Sequence, residues 1–263
     1  MKRLRRLIMP LCALALSACG ELAPSSFDGT WKTNPDQTKF SSEPVTVSLS
    51  DGIFDCTSCA PKIHVRADGS DQSFPTLPQD TVAVREIDSR TVKLIMKRNG
   101  SVTSEQVYTA EPDGRTLNAT TTIYPTEGTT PQVLESTSER IGLPVPNSNA
   151  VTGSWRTQKT SVSESLLFTT FKPSGHELSA SWPIGTSWTA RFDGRDYPVK
   201  RGYRADSVSL KRLNDHTIEV TYKLHRYLMR VDTLTVSDDG KTMTNVSEDK
   251  LTGRITTRSA TRQ

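Results

Sequence analysis

Residues 208–247 read VSLKRLNDHTIEVTYKLHRYLMRVDTLTVSDDGKTMTNVS, and the chain contains this stretch twice in altered form. Moving back 126 positions gives residues 82–121, VAVREIDSRTVKLIMKRNGSVTSEQVYTAEPDGRTLNATT, aligned without a gap. Seven of the forty positions are identical, from Val82/Val208 to Thr116/Thr242. Turn signals coincide as well: Asp88-Ser89 stands opposite Asn214-Asp215, and Pro112-Asp113-Gly114 opposite Asp238-Asp239-Gly240. Apolar residues match at alternate positions, Val92, Leu94 and Met96 against Ile218, Val220 and Tyr222. Period-two alternation between such turns is the pattern of antiparallel strands with one buried face. Its recurrence at a fixed spacing implies one fold built twice.

The repeat extends outward from this stretch. Residues 27–33, FDGTWKT, are answered by residues 151–157, VTGSWRT. Between the copies lies 144–150, PVPNSNA, polar and proline-punctuated, which reads as a linker. The expected organisation is a first repeat at 27–143, a linker at 144–150 and a second repeat at 151–263. Segments rich in Val, Ile, Thr and Tyr predict strands near 44–49, 62–66, 81–87, 91–97, 101–110, 116–123 and 132–137. The second repeat carries them near 166–171, 177–182, 187–192, 207–213, 217–224, 227–236 and 241–246. No window long enough for an ordinary helix shows a 3.6-residue period. The class is therefore all-β. Roughly eight to ten short strands per half, joined by tight turns, predict an up-and-down meander that loses its edges by closing into a barrel. A β-sandwich with the tryptophans as plain core is the alternative.

Gly29-Thr-Trp31 and Gly153-Ser-Trp155, each followed by a long meander, resemble the start of lipocalins and the wider calycin barrels. The resemblance implies two tandem lipocalin-like barrels, with a tryptophan closing one end of each and a late arginine packed over it. Arg140 and Arg262 stand near the ends of the two repeats. With Trp31 and Trp155 they form the expected barrel-closing set. Each repeat then has its own tryptophan, meander and arginine, and is expected to fold alone. The family's Thr-Asp-Tyr segment and bridging disulfide pattern do not occur, so no ligand chemistry follows from the resemblance.

The start of the chain reads as targeting and not as fold. Lys2, Arg3, Arg5 and Arg6 precede an apolar run at 7–16. Such a run is shorter than the roughly 20 residues a spanning helix needs. Leu16-Ser17-Ala18-Cys19 resembles the lipobox of bacterial lipoproteins. The resemblance implies a signal peptide at 1–18, palmitate-type acyl chains on Cys19 and a tether at 19–26. An ordinary secretory signal or a short membrane anchor is the alternative. Gly20 in place of Asp after Cys19 implies, by that family's sorting rule, the outer membrane of a Gram-negative cell, facing the periplasm. The chain's 33 basic and 29 acidic residues include four basic ones in the signal, so the mature chain is balanced. With no basic helix or aromatic-interleaved basic patch, nucleic acid is not an expected partner.

Residues able to carry chemistry are few. Besides Cys12 and Cys19, the cysteines are Cys56 and Cys59. An exported chain meets an oxidising compartment, which favours a disulfide between them. A redox pair opening a helix, or a zinc site with His64, are the other readings. The residues that follow look like a hairpin, and Cys56, Cys59 and His64 make three zinc-type ligands with no second pair. His176, His216 and His225 are scattered, and neither a nucleophile elbow nor a phosphate loop occurs. No enzyme, cofactor or metal is expected. Asp68-Gly-x-Asp71 and Asp193-Gly-x-Asp196 read as a repeated turn with a packing aromatic. The second repeat alone adds Trp182, Trp188, Tyr197, Tyr203 and Tyr222. Apolar and aromatic linings with a few polar groups characterise small-molecule pockets. These five are therefore the candidate ligand-binding residues, for a small apolar or amphipathic ligand. The alternative is an envelope scaffold whose barrels are filled by their own side chains and whose surface binds a protein partner.

Overall fold

Tight turns define the elements. Asp51-Gly52 and Asn99-Gly100 both place two successive residues at positive φ, the geometry that a two-residue hairpin with right-twisted strands requires. The computed structural model describes residues 22–59, 62–74, 79–124, 130–202 and 205–263. The signal peptide and Cys19 lie outside these, as does Tyr203.

In chain order the early strands are β1 (Gly29–Lys39), β2 (Val45–Ser50), β3 (Ile53–Cys56), β4 (Ile63–Arg66), β5 (Asp68–Ser73) and β6 (Thr81–Asp88). Then come β7 (Thr91–Arg98), β8 (Ser101–Ala110), β9 (Thr116–Ile123), β10 (Gln132–Ile141) and β11 (Gly153–Val162). The later ones are β12 (Phe168–Ser174), β13 (Glu177–Ser181), β14 (Ser187–Arg191), β15 (Tyr197–Lys200) and β16 (Ser207–Arg212). The chain finishes with β17 (Thr217–Leu224), β18 (Tyr227–Val236), β19 (Thr242–Asp249) and β20 (Ile255–Arg262). All pairings are antiparallel between described strands, and they form two ten-stranded units.

The units are barrels and not sandwiches. One, the second barrel, runs β1-β12-β13 and on to β20, which pairs back onto β1. The other, the first barrel, has the order β4-β3-β2-β11-β10-β9-β8-β7-β6-β5. Its end strands β4 and β5 are separated by Ala67 alone. The Ala67 N–H donates to the Gly52 carbonyl at 2.7 Å, and its carbonyl accepts from the Glu86 N–H at 3.2 Å. One residue thus hands the chain from one edge of the sheet to the other and closes it.

The expectation that each repeat folds from its own strands is corrected here. Strand β1 opens the first repeat but lies in the second barrel, between β12 and β20. Strand β11 opens the second repeat but lies in the first barrel, between β2 and β10. The contiguous stretch 45–162 therefore makes the first barrel, and 168–262 together with 29–39 makes the second. The reason lies in the connectors. Residues 40–44, FSSEP, and 163–167, SESLL, contain no glycine or Asn-Gly to reverse the chain tightly. The strand ends by crossing to the neighbouring sheet instead of folding back.

Two further expectations change with it. Residues 144–150 join β10 to β11 inside one barrel and are not an interdomain linker. The Asn149 amide there is buried and donates to Glu86 Oε1 at 2.8 Å and to the Asp88 carbonyl at 2.7 Å. Likewise the tether reading stops at Leu22. The Ala23 N–H donates to the Gly175 carbonyl at 2.9 Å, which docks the segment on the second barrel. The segment beginning at Asp68, read as a turn, is strand β5, whose outward polar residues hide its period. Asp193–Asp196 does turn before β15.

Each barrel has one core. Val47, Phe54, Val84, Leu94 and Trp155 lie in the first, and Phe27, Trp31, Leu178, Trp188 and Val220 in the second. In β17 the alternation is complete, with Ile218, Val220, Tyr222 and Leu224 all buried.

Candidate functional site

One end of each barrel is closed by the same constellation. The Trp31 indole N–H donates to the Phe27 carbonyl at 3.0 Å, and the Trp155 indole N–H to the Val151 carbonyl at 2.8 Å. Arg262 lies 4.5 Å over the Trp31 ring and Arg140 4.0 Å over the Trp155 ring. Arg140 also donates to the carbonyls of Gly114, Thr152 and Ala150. Arg262 makes the equivalent bonds to Gly240, Asp28 and Ser26. Burial pushes the Arg140 guanidinium below its ordinary value. Gly29 and Gly153 are the glycines of the two Gly-x-Trp segments, at φ +120 and +151, and a side chain at either would meet the arginine. The four barrel-closing residues do meet, but crosswise. Each arginine caps the tryptophan of the other repeat, because the strands carrying the tryptophans are exchanged.

The opposite end of the second barrel is hollow. A cavity of about 310 Å³ is lined by Trp182, Ile184, Val199, Tyr222, Met229 and Arg230, with Leu166 of the crossover and Asp249 at its rim. Its walls come from the turns after β13 and β15 and from the β17–β18 hairpin. At the tip of that hairpin His225 and Arg226 take φ 49 and 71, where the first repeat has Asn99-Gly100. Two side-chain-bearing residues in the left-handed region store strain beside the mouth, of order 1–2 kcal/mol each. Asp206 accepts the His225 N–H at 2.7 Å and holds this hairpin down.

Charge enters the cavity along β18 and β20. Arg230 Nε lies 3.0 Å from Asp232 Oδ1, and its guanidinium stacks 4.1 Å from the Tyr222 ring. The Asp232 side chain is 7% exposed, so this ion pair sits at the boundary of the core. Burial raises the Tyr222 hydroxyl above its usual range. One layer further in, Arg258 pairs across the ladder with Asn245. Burial lowers the Arg258 guanidinium, against the pull of Asp232. The aligned positions of the first barrel carry no charge: Met96 stands for Tyr222, Ser104 for Arg230, Gln106 for Asp232 and Ala119 for Asn245.

Scans of family models, of curated proteins and of solved structures return no match to this chain.

Of the five aromatic candidates, the structure brings Trp182 and Tyr222 to the cavity. Trp188 is core, 2% exposed, and packs edge-on against Phe171 at 6.3 Å. Tyr197 caps a turn, its hydroxyl donating to Asp193 Oδ2 at 2.8 Å. Arg230, Asp232 and Arg258 were missed by sequence reasoning. Their signal was present as charge at inward positions of β18 and β20, in register with apolar Leu234 and Ala260. Cys56 and Cys59 are joined at an S–S distance of 2.00 Å, between the hairpin of β3 and β4. His64 nearby is exposed and pairs with Asp55 at 2.5 Å. Among the described residues no group of three His, Cys, Asp or Glu side chains could hold a metal ion. No helix of the described residues is long and apolar enough to cross a membrane.

Proposed function

We propose that the protein is a non-catalytic binding protein of the cell envelope, an exported lipoprotein that holds a small apolar or amphipathic molecule in its second barrel. The observation that carries the binding reading is the cavity between Trp182, Val199, Tyr222 and Met229. It combines an apolar and aromatic wall with a few placed polar groups, the usual make-up of a small-molecule site. Its volume, about 310 Å³, is at the small end of such pockets. A single-chain molecule suits it better than a two-chain lipid. The export and anchoring part of the reading rests on the signal-like segment ending in Cys19.

The test is titration of the full chain with a neutral, environment-sensitive apolar dye. Saturable binding at one site per chain is expected. Ala205→Phe and Val199→Phe, which push a ring into the cavity, should each abolish it while the far-ultraviolet spectrum stays unchanged. Weak, unsaturable binding that neither substitution alters would remove the ligand reading and leave the scaffold one.

A further inference from the structure

Beside the cavity of the second barrel lies another hollow, a crevice of about 470 Å³ at the junction of the barrels. Ile184 lines both. Neighbours in sequence divide between them: Leu166 and Gly202 line the cavity, Ser165 and Arg201 the crevice. The turn at 182–186 stands between the two, closed by the Gly185 N–H donating to the Trp182 carbonyl at 2.9 Å. One wall of the crevice belongs to the first barrel, since Gln132 opens β10 and Thr130 precedes it. The crevice has a fixed shape. Gln132 is 4% exposed; its amide donates to the Thr130 carbonyl at 2.7 Å and its oxygen accepts the Ser165 hydroxyl, which ties the first barrel to the crossover. On the facing side Arg201 lies across Gly185, where φ is +84 and a Cβ would stand 2.9 Å from its Nη1. The Thr186 hydroxyl donates to the Arg201 carbonyl at 3.0 Å. The Arg201 guanidinium makes no hydrogen bond or ion pair with a described residue.

Resting on the binding reading above, we infer that the two barrels build one ligand site, for an uncharged single-chain amphiphile whose chain lies in the second barrel and whose hydroxyl-rich head lies in the crevice. The apolar wall of Trp182, Val199 and Met229 takes the chain, and Ile184 sits where chain meets head. Charge is not what the site reads. Inside the barrel Arg230 and Arg258 are matched by Asp232 and the cavity-lining Asp249. In the crevice Arg201 is exposed, and the charge of a hydrated guanidinium contributes little to binding. What the crevice offers is hydrogen bonding: the donors of Arg201, the Thr130 hydroxyl and the lone pairs of Ser165. A glycerol or sugar head, donor and acceptor at once, matches that mixed set. The barrel cavity alone is at the bottom of the roughly 300–1,000 Å³ usual for such sites, and the crevice brings the whole well inside that range.

The experiment uses the full chain and measures displacement of the neutral dye by octyl glucoside, octanol, octanoate and octyltrimethylammonium, each below its micelle concentration. Octyl glucoside should compete about tenfold better than octanol, the worth of one or two net hydrogen bonds. Both charged amphiphiles should compete less well than the glucoside. Thr130→Trp, at an exposed position of the first barrel, puts a ring into the crevice. It should reduce the glucoside to the level of octanol and leave dye and octanol binding unchanged, which also shows the second barrel intact. Arg201→Met, which keeps the stem and removes the fork, should take away part of the same advantage. A glucoside no better than octanol, or an advantage that Thr130→Trp leaves untouched, overturns the two-barrel site and leaves the binding reading standing. So does octanoate or the ammonium competing better than the glucoside, which overturns the uncharged head. Absence of saturable dye binding overturns both readings.

Discussion

Arg140 shows how much one side chain holds here. It is 8% exposed, covers Trp155 at 4.0 Å and satisfies three backbone carbonyls at the end of the first barrel. Removing it leaves those carbonyls without donors and the indole face open to water. Hydrogen bonds to a charged group contribute about 1.5–3 kcal/mol each, and a guanidinium over an indole about 0.5–2 kcal/mol. These contributions are not additive, and some carbonyls will find water. Arg140→Ala is therefore expected to destabilise the first barrel by about 3–5 kcal/mol in urea unfolding. Arg140→Lys should recover little of this, because a single ammonium cannot reach three acceptors set in a fork. A loss below about 1 kcal/mol for the alanine variant would show that the cap is ornamental.

At the scale of elements, the exchange of β1 and β11 decides which pieces can fold. A fragment ending at residue 144 lacks β11, leaving β2 and β10 with unpaired edges and the Arg140 cap without its tryptophan. One beginning at residue 147 lacks β1 and leaves β12 and β20 open in the same way. Open edges of this kind template aggregation. The fragment 40–163, by contrast, contains every strand of the first barrel in one piece. It is expected to give a monomeric β domain with dispersed amide resonances, while the fragment ending at 144 aggregates. The fragment 168–263 should be rescued by an added peptide spanning 22–39. Independent folding of the pieces cut at 144 and 147 would mean that β1 and β11 do not exchange.

For the whole molecule, the direction of the exchanged strands orients both barrels. Strands β1 and β11 each start beside the tryptophan cap and run away from it, so the crossovers at 40–44 and 163–167 leave from the uncapped ends. There the barrels meet. The Arg254 guanidinium at the end of the second barrel donates to the Pro44 carbonyl at 3.2 Å, and the Ser165 hydroxyl of the other crossover donates to Gln132 Oε1. The cavity mouth therefore opens toward the junction. The segment from Leu22 leaves from the opposite, capped end of the second barrel, where the Ser26 hydroxyl donates to the Asp215 carbonyl at 2.6 Å. If acyl chains on Cys19 anchor the protein as proposed, the cap faces the membrane and the mouth faces away from it. Each buried methylene contributes about 0.8 kcal/mol, so two or three chains hold almost permanently. Cys19→Ser should then move the protein to the soluble fraction or leave it unprocessed. A processed variant that still sediments with membranes would refute the anchor.

Much of the fold was legible in the chain because strands and hairpins are local. Alternation in β7 and β17 and the Asp-Gly and Asn-Gly turns depend on neighbours in sequence, and they determined an all-β meander built twice. The caps were legible too, since Gly-x-Trp needs its glycine wherever the strand sits. Which barrel each Gly-x-Trp strand enters was not. Sequences as alike as residues 27–33 and 151–157 can close either sheet, and the choice falls to the crossover geometry at 40–44 and 163–167. The inner charge was equally hidden. Arg230, Asp232 and Arg258 read as surface residues of polar strands until closure of the barrel turns one face inward and brings β18 beside β20 through β19. Local chemistry determined the elements and their repetition. Only the closure of two sheets around exchanged strands decided where the cavity beside Trp182 and Tyr222 lies and what lines it.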